Sequence, residues 1–298
     1  MRFLALLLAA FFVAPFAAAK DRSVHMRPVT PETLSSVSSD KAYILFRTHR
    51  PKSVHSHEPI FLRVPTDAEV SEYLAAKEKA FQDWKPKWVE NYNKAKMKGD
   101  KDRESSFSGV WAKPTIENLF LYWLDGSNVE HIPHKNLIAQ DGVDRTYLVE
   151  VPAAQYVLYG VTLGAGFESG LHVCFCLGTV GFEAKLGEIV DLGFLLFDQA
   201  KTKSVVPELA SETGFGPSSD GFLYLAAGTV RPVRSEDKVP ASLLGKKIVA
   251  ADYQAVGKFF HPGAGLINRL VPVPGILGYD GGKVINVKTG EVAIDRID

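Results

Sequence analysis

From Leu119 to Phe197 the chain is a succession of short apolar runs separated by turn residues, with little room for helix between them. Leu119–Leu124, Asp125-Gly126-Ser127-Asn128 and Val129–Ile132 read as strand, turn, strand. Thr146–Val151 follows, then Tyr156–Leu163, Leu171–Leu177, Val180–Lys185 and Glu188–Phe197, with Gly178-Thr179 and Leu186-Gly187 at turns. Strands this short and this closely spaced predict an antiparallel β-sandwich in a mainly β chain. Tyr156 to Tyr159 is apolar at odd and even positions alike, as for an inner strand covered on both faces. Phe182 and Ala184 share one face and Glu183 and Lys185 the other, the pattern of a half-buried strand.

Upstream, Ala42–Phe46 and Ile60–Val64 read as two further strands, expected to form a hairpin across the polar loop His49–Pro59. Thr66-Asp67-Ala68-Glu69 is a capping-box signature. Behind it, Val70, Leu74, Phe81, Trp84 and Trp88 recur at helical spacing and make one apolar face, with Lys77 laying its stem along it. Pro86 is expected to kink or divide this helix, because it removes an internal hydrogen bond. The segment from about 66 to 113 is therefore a helical insertion in a sandwich spanning 41–200. Residues 20–40, rich in Ser, Thr and Pro, read as a flexible arm, and 201–298, broken by Gly and Pro, as an irregular extension or small subdomain.

The N-terminus carries a further signal. Met1-Arg2 is a short positive region and Phe3–Pro15 an apolar run. Ala17, Ala18 and Ala19 offer the small residues of a cleavage site before Lys20, so residues 1–19 read as a secretory signal peptide. The expected location is periplasmic or secreted. The apolar run is shorter than the ~20 residues of a bilayer span, so no transmembrane segment is expected after cleavage. Lys+Arg 34 balance Asp+Glu 34, which argues against nucleic acid as a partner.

One segment carries a resemblance. Val151-Pro152-Ala153-Ala154-Gln155-Tyr156, then Cys174-Phe175-Cys176-Leu177-Gly178, then Phe182-Glu183-Ala184 and Gly187-Glu188 resemble exported proteins and lipoproteins of bacteria of unknown function. Their β-sandwich carries a Pro-x-Gly-x-Tyr strand and a Phe-x-Ala-x-x-Gly-Glu hairpin. This chain departs at Ala154, where that pattern has Gly, and it lacks the lipoprotein Cys. The resemblance implies a fold and an envelope location, and carries no catalytic residue.

Candidate chemistry is sparse. His172, Cys174 and Cys176 alternate along one strand, so their side chains leave one face at intervals of roughly 6.6 Å. That interval opposes an easy disulfide, whose Cβ atoms stand ~4 Å apart. Imidazole and thiolate suit Zn or Cu, so the three form a candidate metal site, set against the common role of Cys as a small buried apolar residue. His55-Ser56-His57-Glu58, with His49 nearby, is a second His–carboxylate cluster, in a polar loop that gives the ligands little support. His131 and His134 offer imidazoles without an identifiable nucleophile. The glycines at 164, 166 and 170 have the wrong spacing for a dinucleotide fingerprint, Ser169 lacks the preceding Gly of a nucleophile elbow, and Gly245-Lys246-Lys247 lacks the Ser/Thr of a phosphate loop. Trp84, Trp88, Trp111 and Trp123 could stack on sugars, although on a helix stripe the first two suit packing. The expectation is a non-enzymatic binding or structural module of the cell envelope, taking an envelope protein or small ligand. A metal-binding protein and a hydrolase with a site hidden in the sequence are the alternatives.

Overall fold

The computed structural model describes residues 26–49, 57–101, 115–117, 119, 121, 129–131, 136–163, 171–196, 228–258, 266–267 and 269–294. The expected signal peptide therefore lies outside the described residues, as do residues 122–128 of the expected Leu119–Ile132 hairpin, residues 201–227 of the expected C-terminal extension and the glycine-rich segment 164–170.

The fold is mainly β. In chain order its elements are β1 (Arg27–Val29), β2 (Ala42–His49), β3 (His57–Arg63), α1 (Asp67–Met97), β4 (Val129–His131), β5 (Leu137–Asp141), β6 (Asp144–Val151), β7 (Ala154–Leu163) and β8 (Leu171–Cys174). They continue as β9 (Thr179–Ala184), β10 (Ile189–Leu196), β11 (Thr229–Arg231), β12 (Ile248–Ala250), β13 (Gln254–Val256), β14 (Leu266–Ile267), β15 (Leu277–Asp280), β16 (Lys283–Asn286) and β17 (Glu291–Val292). One sheet runs β1-β6-β2-β10-β11, with β5 beside β6 and β12 beside β10. A second runs β13-β9-β7-β3-β4, with β8 beside β7 and β14 beside β8, and β15-β16-β17 form a small meander.

The main core lies between the two large sheets. Ala42, Ile44 and Phe46 of β2, Tyr147 and Val149 of β6, and Val190 and Leu192 of β10 meet Phe61, Tyr156, Leu158, Val180 and Phe182 of the second sheet. An aromatic chain crosses it: Phe46 stacks on Tyr147 at 5.0 Å and meets Phe61 edge-on at 5.9 Å, and Phe61 meets Phe182 at 5.9 Å. The opposite face of the first sheet buries Tyr43, Leu45, Leu148 and Ile189 under Val29, Val37 and Leu243. Both faces are thus covered, which is why these strands read as continuous apolar runs.

Alternation is obeyed where the sequence shows it. Phe182 and Ala184 are buried while Glu183 and Lys185 are exposed, and Tyr156 to Tyr159 are all buried. On β7 a register shift against β3 falls between Leu158 and Gly160, so that Val161, an odd position, takes the inward face held by Leu158.

Several pairings differ from the expected ones. β2 and β3 form no hairpin: β2 pairs with β6 and β10, β3 with β7 and β4, and the two meet across the core. β9 and β10 likewise sit in opposite sheets, so Lys185–Glu188 is an arch rather than a hairpin turn. Most ladders are antiparallel, but β10 runs parallel to β2 and to β12, and β14 runs parallel to β8. Residues 26–40 are not a loose arm. β1 adds to the edge of β6, and Val29 and Val37 are buried on the sheet. The described part of 201–298 is not a separate subdomain, since β11 and β12 complete the first sheet and β13 and β14 the second.

The helix α1 belongs to a compact unit distinct from the one that holds the sheets. Its capping box is present: Glu69 N–H donates to Thr66 Oγ1, and Thr66 N–H donates to the Glu69 carboxylate at 2.8 Å. Pro86 does not divide the helix, since α1 is one element from Asp67 to Met97.

Candidate functional site

Two of the charged groups buried in the first sheet sit in the middle of apolar strands. Arg47 follows Ala-Tyr-Ile-Leu-Phe on β2, and Asp191 interrupts Ile-Val-Asp-Leu on β10. Parallel pairing sets Asp191 opposite Leu45, one inter-residue step of the same face from Arg47. Both Nη atoms of Arg47 donate to the Asp191 carboxylate, at 2.7 and 3.0 Å, and the two side chains are only 5% and 3% exposed. One of those nitrogens also donates to the Lys238 carbonyl at 3.1 Å. Asp191 Oδ1 accepts a further bond from Gly193 N–H at 2.9 Å.

That last bond belongs to a bulge. The register of β10 on β2 shifts between Asp191 and Phe194, and Gly193 takes φ +76°. A Cβ there would lie 2.3 Å from the Arg231 carbonyl oxygen, so only glycine fits. The bulge falls where the neighbour of β10 changes from β12 to β11. Phe194 then lies between two cations, with Arg231 4.3 Å and Arg47 5.9 Å from its ring centre. Arg231 grips Asp237 through two bonds of 3.0 and 2.7 Å, and Arg234 N–H donates to the same carboxylate. The Arg231 bonds first, then the Arg234 N–H bond and the charges of Arg231 and Arg47, hold the Asp237 carboxyl below the usual carboxylate range despite its burial. Chemically this cluster neutralises itself. It ties β2, β10 and β11 to the turn at 234–237. Sequence reading missed it, although a lone Arg and a lone Asp inside two apolar strands were the available signal.

The cysteines lie on the outer face of the second sheet. Phe175 points into the main core, while Cys174 and Cys176 pack with Ile60 and Tyr159 on the other side. They are joined as a disulfide with Cα atoms 5.1 Å apart, correcting the expectation that their spacing opposes one. The physical reason is local: β8 ends at Cys174 and the chain turns, Gly178 N–H bonding to the Phe175 carbonyl, so the interval shrinks below that of an extended strand. His172, on β8, pairs with Thr162 of β7, and its side chain lies outside the described residues. A disulfide sulfur is not a thiolate, so the His172, Cys174 and Cys176 set could take Zn or Cu only after reduction.

Comparison with protein-family models, with curated proteins and with solved structures gives no match.

The other candidates are placed as follows. His49 Nδ1 meets Asp144 Oδ1 at 2.7 Å across the ends of β2 and β6, with both side chains nearly half exposed. Glu58 is buried on β3, and the side chains of His55, His57 and His131 lie outside the described residues, as do His134, Trp111 and Trp123. The structure therefore joins His49 to a carboxylate other than the one the sequence cluster offered. Trp84 and Trp88 are half-buried on α1, and Trp88 stacks on Tyr92 at 5.2 Å. No described helix is long and apolar enough to cross a membrane.

Proposed function

We propose that this chain is an exported cell-envelope protein, processed after Ala19, that works as a binding or structural module. The observation that carries the reading is the Cys174–Cys176 disulfide, because such bonds persist outside the reducing cytosol. The leader-like N-terminus supports the same compartment. The Arg47–Asp191 and Arg231–Asp237 pairs support the scaffold role, since their charges are spent on each other and on holding strands. Rigid sheets of this kind present loops for recognition.

The test is fractionation of a bacterial host expressing the full chain, with mass spectrometry of its N-terminus and thiol tagging after unfolding. The reading expects a chain beginning at Lys20 in the envelope fraction, tagged at both cysteines only after reduction. An intact chain in the cytosol, tagged without reductant, overturns it. The non-catalytic part is tested with a hydrolase substrate panel on the parent and on Asp144→Asn, which breaks the His49 pair. A hydrolytic turnover lost in that variant overturns it.

A further inference from the structure

We propose that one end of the first sheet docks the protein onto an anionic lipid surface, through two leucines held out on separate turns. The inference deepens the binding-module reading and rests on it for the compartment alone. β2, β10 and β12 run parallel, so the loops that precede them, 38–41, 185–188 and 244–247, lie at the same end of that sheet. Within these loops Leu186 is 63% exposed and Leu244 73%. Exposed turns ordinarily carry Gly, Pro, Asn, Asp or Ser, and a leucine at such a position adds little to the fold. The contrast with Leu243 is direct: it is buried with Val37, while the next residue faces water.

The turns are braced, so the leucines are presented rather than left on loose chain. Gly187 N–H donates to the Lys41 carbonyl at 2.9 Å, which ties the first turn to loop 38–41. Ile189 N–H donates to the Lys247 carbonyl at 2.9 Å, and Lys247 Nζ meets Glu188 Oε1 at 2.6 Å, which tie it to the second. Lys246 Nζ donates to the Val37 carbonyl at 2.8 Å. Each leucine precedes a glycine in the left-handed region, Gly187 at φ +80° and Gly245 at φ +82°, so each stands at a turn.

Charge names the occupant. Asp40 and Glu188 are the acids of these three loops, and Lys41, Lys185, Lys246 and Lys247 are their bases. Lys246 spends its ammonium on a carbonyl, a bond that leaves its charge uncompensated. Lys185 and Lys247 pair with Glu183 and Glu188, yet their side chains stay 58% and 66% exposed, where a lipid phosphate can compete for them. Apolar apices inside a collar of lysines match a bilayer interface. The leucines enter the acyl boundary and the lysine stems reach back to the headgroups. A fluid layer also closes around projections that a folded partner could take only with matching pits.

Flotation of the full chain from Lys20 onward with vesicles tests the proposal, using phosphatidylcholine alone and phosphatidylcholine mixed with phosphatidylglycerol. The parent should float with the mixed vesicles. It should float several-fold less with phosphatidylcholine alone, or at about 0.5 M salt, where screening shortens the reach of the lysines. Leu186→Ser and Leu244→Ser should each weaken binding about tenfold, with unchanged circular dichroism because neither side chain is in the core. Leu74→Ser, at an exposed leucine of α1, should bind as the parent does. The native cysteines are joined, so a fluorophore can be placed on Leu186→Cys, and its emission should move to the blue on mixed vesicles. A parent that ignores the mixed vesicles overturns the proposal. So does binding that is equal on both vesicles, that survives the double leucine substitution, or that Leu74→Ser weakens as much, and so does a fluorophore whose emission stays put. Sedimentation equilibrium covers another occupant: a parent dimer that the two leucine substitutions dissolve assigns this end to a second copy and overturns the lipid reading. The assay uses purified chain, so its failure leaves the fractionation result standing, and an intact cytosolic chain leaves vesicle binding standing.

Discussion

Arg47 and Asp191 reach each other from parallel strands through two hydrogen bonds, both side chains almost wholly buried, and the Lys238 carbonyl accepts a further bond from the guanidinium. Removing one partner leaves a buried charge uncompensated. Arg47→Met or Asp191→Leu alone should cost about 3–5 kcal/mol of stability, read from urea denaturation midpoints. The double variant should recover most of that loss, because an apolar pair of similar volume suits the same site. A double variant as unstable as either single one would show that the bonds to Lys238 and Gly193 matter more than the pair itself.

Gly193→Ala should be far more damaging than Gly142→Ala. Both have positive φ, so both carry about 1–2 kcal/mol of backbone cost. Nothing lies within 4 Å of a Cβ at 142, whereas at 193 it strikes the backbone of Arg231 to Val233. Thermal melts of the two variants give the comparison.

Much of the fold was legible because period and caps are local. Alternation at Phe182–Lys185, the two-sided burial of Tyr156–Tyr159 and the Thr66 capping box all depend on neighbours within a few residues. What escaped was the choice of partner. A turn after Lys185 says that the chain reverses, but β9 and β10 are both apolar enough to sit in either sheet, and the arch places β9 beside β7 and β13 and β10 beside β2, β11 and β12. The segment 26–40 misled for a related reason. Its polar composition hides the few residues, Val29 and Val37, that anchor it. At the candidate site, the shared face of Cys174 and Cys176 was readable, while the end of the strand that lets them bond was not.

The disulfide itself should contribute modestly. It closes a loop of three residues, for which the chain-entropy relation gives about 1.5 kcal/mol. Cys174→Ala/Cys176→Ala, measured by denaturant titration, should lose about that amount plus the apolar contacts of two small buried side chains, and should stay folded. Both sulfurs should resist reductant until the outer face around Ile60 and Tyr159 opens.

Acid should weaken the turn at 234–237. The Asp237 carboxyl is held below its ordinary value by Arg231, so its contribution is whole above about pH 4 and fades as pH falls through the lowered value. Asp237→Asn should be less stable than the parent at neutral pH and should lose less between pH 4 and more acid solution. Urea midpoints across that range check the sign.

The placement of β11, β12, β13 and β14 has a consequence for how the molecule is made. Each large sheet takes edge strands from the last seventy or so residues of sequence. A chain emerging amino end first therefore presents two unfinished layers, and the sandwich can close only once residues 229–267 have followed.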